Sequence, residues 1–263
     1  MKEVLGVSQI EGAAEVERDI LVAALAEHLD VAAFDDYCPN GLQVEGRSRV
    51  RRVMSGVTAS QALIDAAIDW QADALIVHHG FFWKGEPAPL TGIKARRIAA
   101  LMGAGINLLT YHLPLDVHPE LGNNAQLARS LELEIDGALR PDGLGCVGHL
   151  PSGLSAPEFA RRIEKALNRS PLWLDGGRPV IQRVAWCTGA AQRLLIDAAM
   201  KGVDAYVSGE VSEQTTHEAR ELKVHYFAAG HHATERGGPQ ALGDWVAREF
   251  GVQHRFVDCP NPV

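Results

Sequence analysis

Seven side chains in this 263-residue sequence have the types and spacing to do metal chemistry. His78 and His79 are adjacent, His112 precedes Asp116 by four positions, His231 precedes Glu235 by four, and Glu210 lies between these groups. Imidazole nitrogen and carboxylate oxygen together suit zinc, manganese, iron or nickel; magnesium and calcium prefer oxygen alone. Two ions about 3.5 to 4 Å apart, bridged by a carboxylate, can activate a water between them and polarise the group it attacks. His78, His79, Asp116, His231 and Glu235 are the candidate ligands for such a pair. By spacing alone, a metal centre and a set of hydrogen-bonded structural histidines both remain open. His112 is either a further ligand or the residue that orients Asp116, with the second role favoured. Glu210 is a candidate general base, and His217 a second group facing the same cleft. The alternative for both is that they cap or solvate the helix beginning near Ser212. His118 reads as loop surface.

The elements that must position these residues alternate between strand and helix. Apolar residues at helical spacing run from Ile20 to Leu29, and Cys38-Pro39-Asn40-Gly41 interrupts them as a turn. Strands are expected at Val53 to Val57, Ala74 to Val77 and Ile106 to Thr110. A capping box from Thr58 to Gln61 is expected to open the helix after the first of these. Helices follow at Ala95 to Met102 and Asn124 to Leu131. In the second half, strands at Gly148 to Leu150, Val184 to Cys187, Ala205 to Ser208, Val224 to Ala228 and Val252 to Val257 alternate with helices. These cover Ala156 to Leu167, Leu194 to Met200, Glu213 to Glu221 and Gln240 to Phe250. Neighbouring strand residues face opposite ways, so His78 and His79 share a site only where regular pairing stops, and there they can serve two ions.

The two halves resemble each other. Leu63-Ile64-Asp65-Ala66-Ala67 and Leu195-Ile196-Asp197-Ala198-Ala199 are the same phrase, each between a strand and an Asp-Ala pair. Aligned on it, His78-His79 falls opposite Gly209-Glu210, and the next strand in each half ends in His-x-x-x-acid. The expectation is an α/β protein of two similar lobes, residues 1–131 and 132–263, with the metal site in the cleft between them. Residues 1–17 read as a polar extension, and the C-terminal segment is free to pack back on the first lobe. In open α/β sheets, ligands gather at the carboxyl ends of the strands, where all the candidate residues lie.

Composition sets limits. With 46% hydrophobic residues and 22% charged ones in no long block, the chain is of ordinary globular type. A formal net charge of −8 gives no general basic field for nucleic acid. Four scattered cysteines make no Cys-x-x-Cys pair, which favours reduced thiols over a zinc ribbon or a disulfide framework. The acidic start is unlike a secretory signal and no apolar run reaches the roughly 20 residues of a membrane helix, so a cytoplasmic location is expected. A Gly-x-x-x-x-Gly-Lys loop is absent, which argues against ATP-driven chemistry.

The phrases YCPNGLQVEG, VHHGFFWKGE, YHLPLDVHPELGNNAQLA, GEVSEQTTHEARE and AAGHHATERGG resemble those of the NIF-three-like family, from about Tyr37 to the C-terminus. Bacterial members carry the name GTP cyclohydrolase 1 type 2 homolog. The resemblance implies two similar lobes, a ring-shaped homohexamer, and two divalent metal ions on His78, His79, Asp116, His231 and Glu235. It also implies opening of the guanine imidazole ring, although activated water could equally attack a phosphoester, an amide or another nucleobase. On a small-molecule substrate, a nucleotide for example, Phe81, Phe82 and Trp83 could stack on the base while Lys84 and Arg236 met phosphate. Core packing is the stronger expectation for the two phenylalanines. The alternative is a non-catalytic metal-binding adaptor or assembly protein. Nucleic-acid processing inside a ring lacks the expected cationic lining, although an unfolded strand could thread a cavity.

Overall fold

Short runs of branched and apolar residues buried on both faces build the centre of each sheet, as parallel strands between helices require. A computed structural model describes residues 14–263. In the first lobe Arg52–Thr58, Ala74–His79 and Asn107–Thr110 are parallel neighbours in that order, and Leu75, Ile76 and Val77 are wholly buried. Gly41–Val44 lies antiparallel outside the third strand. The second lobe repeats the pattern with Ile181–Cys187, Ala205–Ser208 and His225–Ala228, and with Leu172–Leu174 antiparallel outside the third. In both lobes the outer strand precedes the first central strand in sequence, so the repeat is longer than the shared helix phrase.

One aspartate in each lobe performs the same task. Asp73 Oδ2 accepts from the backbone amides of Arg51 and Arg52 at 2.9 and 3.0 Å. Asp204 Oδ2 accepts from those of Gln182 and Arg183 at 3.0 and 2.9 Å. Each ties the start of the first central strand to the turn before the second. Together with the common strand order, this establishes a duplicated two-lobe α/β fold.

The second sheet continues past Ile181–Cys187 into the antiparallel strands Cys146–Leu154 and Glu134–Ala138. On the first sheet that edge is taken by Gln253–Phe256, which runs parallel to Arg52–Thr58. The helix Gly237–Phe250 leads into it, burying Leu242 and Val246 in the first-lobe core with Leu21, Leu25 and Tyr111. The chain thus leaves the second lobe after Glu235 and closes on the first.

Ala14 donates its amide to Gly251 O at 3.2 Å, Val16–Glu17 pairs with Arg49–Val50, and a helix spans Arg18–His28. Residues from Ala14 onward are therefore part of the fold, which corrects the expected polar extension for that stretch; residues 1–13 lie outside the described residues. The Glu15 carboxylate also pairs with Arg49 and Arg51, so much of the basic run Arg47–Arg52 is neutralised internally. Cys38, Cys146, Cys187 and Cys259 are free thiols. Among the described residues, no helix is long and apolar enough to cross a membrane.

Candidate metal centre

The strand Ala74–His79 delivers its last two residues where pairing ends. His78 has no exposure and its Nδ1 donates to Tyr111 O at 3.0 Å, leaving Nε2 for the site. His79 Nδ1 meets Thr58 Oγ1 at 3.1 Å. Thr58 is thus not the cap of the next helix. That helix spans Gln61–Asp69, with Ser60 Oγ accepting from the Leu63 amide at 3.3 Å, which frees the Thr58 hydroxyl to hold a histidine.

Asp116 and Glu235 are not on strands. Asp116 lies in the five-residue helix Leu113–Val117, and Glu235 follows the four-residue helix His231–Thr234. Each short helix turns the chain out of its sheet so that a histidine and an acid four residues later face the cleft from opposite lobes. Asp116 is held by Asn123 Nδ2 at 2.9 Å and by Thr188 Oγ1 at 3.2 Å, both donating to Oδ1. His112 does not hold it, contrary to the favoured expectation. The His112 Nδ1 faces Asp36 Oδ1 at 2.9 Å, so its Nε2 joins those of His78 and His79. Glu210 Oε1 accepts from His231 Nδ1 at 2.7 Å. His217 is far more ordinary: it is exposed, pairs with Glu213 at 3.2 Å, and does not line the cleft.

The ligand atoms of His78, Asp116 and Glu235 converge, all three residues being buried, and those of His79, His231 and Glu235 converge beside them. His78 Nε2 stands 3.5 Å from Asp116 Oδ1 and 3.6 Å from Glu235 Oε1; Glu235 Oε2 stands 3.4 Å from His79 Nε2 and 3.2 Å from His231 Nε2. Two ligand atoms each 2.1 Å from one tetrahedral ion are about 3.4 Å apart. Buried His78 Nε2 and Glu235 Oε2 have no hydrogen-bond partner among the described residues, a costly arrangement for buried polar atoms. The donor set and these two orphaned atoms fit divalent transition metals.

No Lys or Arg pairs with either buried carboxylate among the described residues, so the charge balance falls on the imidazoles. Burial opposes ionisation of His78, but Asp116 and Glu235 push it up to about 9. Burial and then His78 push His79 down to about 3. Burial raises the Glu235 carboxyl, yet His78, His231 and His79 together hold it well below the usual range. For Asp116 burial prevails, with Glu235 adding to it, and its pKa is raised. Bound cations would replace these strained proton arrangements.

The ligands open on a cavity of about 780 Å³ between the lobes. Trp83 and Tyr37 form one wall, the Trp83 ring lying edge-on to His112 at 5.0 Å. Phe81 is instead buried in the first-lobe core, Phe82 turns to Lys94, and Lys84 does not line the cavity. Arg236 is engaged by Asp258 at 2.9 Å and by Leu167 O at 2.7 Å. Sequence reasoning passed over Asp36, Asn123, Thr188 and Gly189. Asn123 lies within the phrase YHLPLDVHPELGNNAQLA, and Thr188 and Gly189 form a Thr-Gly pair at a strand end. The φ of Gly189 is +67°, and a Cβ there would stand 2.2 Å from Glu235 Oε1.

With this geometry established, relatives are informative. A model of the Duf34/NIF3 (NGG1p interacting factor 3) family matches residues 16–262, so the likeness begins well before Tyr37. A Pseudomonas aeruginosa protein named GTP cyclohydrolase 1 type 2 homolog is 55% identical over 246 residues, covering 92% of this chain and 97% of its own. An Escherichia coli K12 protein of the same name is 53% identical over 238 residues, covering 90% and 96%. Among solved structures, protein ybgI, described as of unknown function, superposes with a TM-score of 0.92 at 51% identity over 94% of this chain and all (100%) of its own. TTHA1606 from Thermus thermophilus gives 0.87 at 36% identity with coverage of 94% and 100%. The chain belongs to the Duf34/NIF3 family.

Proposed function

We propose that the chain is a hydrolase that binds two divalent transition-metal ions, zinc, manganese, iron or nickel, and acts on a small molecule, nucleotides being the first class to test. One observation carries the proposal: His78 Nε2 and Glu235 Oε2 are buried without hydrogen-bond partners inside a set of ligand atoms at metal-sharing distances. When bound, such a pair lowers the pKa of water and polarises the group under attack. Glu235 belongs to both ligand groups, so its two oxygens are placed to bridge. His78 and Asp116 complete the buried group; His79 and His231 complete the one facing the cavity. His112, with Nδ1 on Asp36, presents Nε2 as a further donor. Glu210, expected as general base, is better read as the residue that positions His231, because its Oε1 is already engaged.

The relatives' name, GTP cyclohydrolase 1 type 2 homolog, supports a nitrogen heterocycle as substrate, and the cavity is large enough for one. The same cavity favours catalysis over a purely adaptor role, which needs no enclosed space beside its metals. The proposal includes the ring-shaped homohexamer and a cytoplasmic setting. Elemental analysis of protein purified without chelator should return about two metals per chain. Metal-loaded protein is then screened by mass spectrometry against intact and damaged nucleotides. Metal-dependent product that disappears in Asp116→Ala supports the hydrolase; a full panel without product, from a loaded protein, leaves the adaptor. Light scattering that returns a stable monomer removes the hexamer.

A further inference from the structure

The cavity is bordered by an exposed cation that neither the metal ligands nor their supports employ. Arg193 is the only Lys or Arg among the residues lining it, on the short 3-10 turn Gln192–Leu194 of the second lobe. Among the described residues its guanidinium makes no hydrogen bond or ion pair. Arg236, which the sequence had suggested for phosphate, is by contrast tied to Asp258 and Leu167. Glu218 shares a small neighbouring groove of about 250 Å³ with Arg193, yet no ion pair joins them. A free guanidinium at the edge of a cavity is a ready donor for an oxyanion, which it can engage through two parallel N–H bonds.

The charge of the lining gives this arginine its meaning. Asp116, Glu210 and Glu235 bring three carboxylates to the cavity. Two divalent ions would carry four positive charges and outweigh them, so the loaded cavity attracts anions. The wall beside the metal ligands is aromatic, with Trp83 and the half-exposed Tyr37 5.9 Å apart between ring centres. A space of about 780 Å³ exceeds what a bare phosphate or carboxylate needs, and accommodates a molecule with a flat middle.

We propose that Arg193 is a specificity residue that selects small planar molecules bearing an oxyanion, phosphate or carboxylate, at the end remote from the reacting group. This rests on the metal-centre reading, because the ions would anchor the reacting end and give the cavity its excess of positive charge. Arg193 touches the substrate only at that oxyanion and takes no part in bond breaking.

Three non-hydrolysable probes test it by calorimetry on the zinc-loaded chain: phenylphosphonate, 4-carboxyphenylphosphonate and benzene-1,4-bisphosphonate. The first presents one anionic end, and the others add a second of either chemistry. Wild type should bind at least one of the longer probes fivefold or more tightly than phenylphosphonate at low salt. Arg193→Gln should erase that preference, and Arg193→Lys should restore part of it. The probe that shows the preference identifies carboxylate or phosphate as the selected group. A preference that survives in Arg193→Gln, or is missing from wild type, overturns the assignment. The metal reading is judged from a different quantity, the metal content by elemental analysis. Absence of binding by every probe from a zinc-loaded chain overturns the Arg193 assignment alone.

Discussion

Glu210 Oε1 and His231 Nδ1 lie 2.7 Å apart, and the contact determines which nitrogen of His231 faces the cavity. A carboxylate can only accept, so Nδ1 carries a proton and Nε2 is the nitrogen turned to the site, 3.2 Å from Glu235 Oε2. Asp36 performs the same service for His112 and the Tyr111 carbonyl for His78. Every histidine of the centre is therefore oriented by a group outside it.

Glu210→Gln preserves the shape but replaces a charged acceptor with a neutral one. Loss of such a partner costs about 10- to 100-fold in metal affinity. Chelator competition should show that loss for one ion per chain, the one facing the cavity, while the buried ion beside His78 and Asp116 is retained. Equal weakening of both ions would mean that the two sites are not separately supported.

Gly189→Ala places a methyl group against Glu235 Oε1 and forces alanine into left-handed backbone. The backbone effect alone is about 1 to 2 kcal/mol. Gly202 is the control, since its φ is +68° and nothing lies within 4 Å of its Cβ position. Gly202→Ala should lose stability only, with full metal content. Gly189→Ala should lose more, and its metal content should fall, as read by thermal unfolding in chelator and by elemental analysis.

The contrast between these supports and the ligands shows what a sequence discloses. The duplicated core was legible because its strands are largely apolar runs, and the candidate ligands stood out because histidines and acids recur where those runs end. Spacing alone left a metal centre and hydrogen-bonded histidines both open. Asp36 was not, since it reaches His112 across 76 positions from a stretch without periodicity. Thr58 was misread because Thr-x-x-Gln also describes a capping box, and Ser60 two positions later fills that role. The helices bearing Asp116 and His231 are too short to show a period. Glu134–Ala138 is exposed along its whole length, so it has no inside to mark it as a strand.

Asp36 links stability to pH. Burial would raise its carboxyl, but hydrogen bonds from His112, Asn40 and the Leu113 amide hold it at about 2, below the ordinary value of 3.8. A depressed pKa means that the folded state prefers the carboxylate. The stabilisation is therefore fully present above about pH 4 and is lost as pH falls through about 2. With a side chain only 2% exposed, a shift of this size corresponds to about 2 kcal/mol. Urea unfolding of the metal-free chain should show Asp36→Asn less stable than wild type at pH 6, with the gap closing toward pH 2. A constant gap would assign the loss to packing instead of charge.

Asn123 ties Asp116 to the start of the returning helix Gly237–Phe250. It is wholly buried, its Nδ2 donates to Asp116 Oδ1 at 2.9 Å, and its Oδ1 accepts from the Gly238 amide at 2.9 Å. Asn123→Ala removes both partners at once and leaves a buried amide and a carboxylate oxygen short of hydrogen bonds, at a cost of about 1 to 3 kcal/mol for each group left unsatisfied. Asn123→Asp separates the two roles, because it keeps an acceptor for Gly238 and sets a second negative charge against Asp116. If Asn123 serves only to hold that helix, Asn123→Asp should be close to wild type in metal affinity. If it also orients Asp116, repulsion should turn that carboxylate away, and the ion shared with His78 should be the one that weakens. The second outcome is expected, since Thr188 Oγ1, at 3.2 Å, is the one other side chain that holds Asp116 Oδ1 among the described residues.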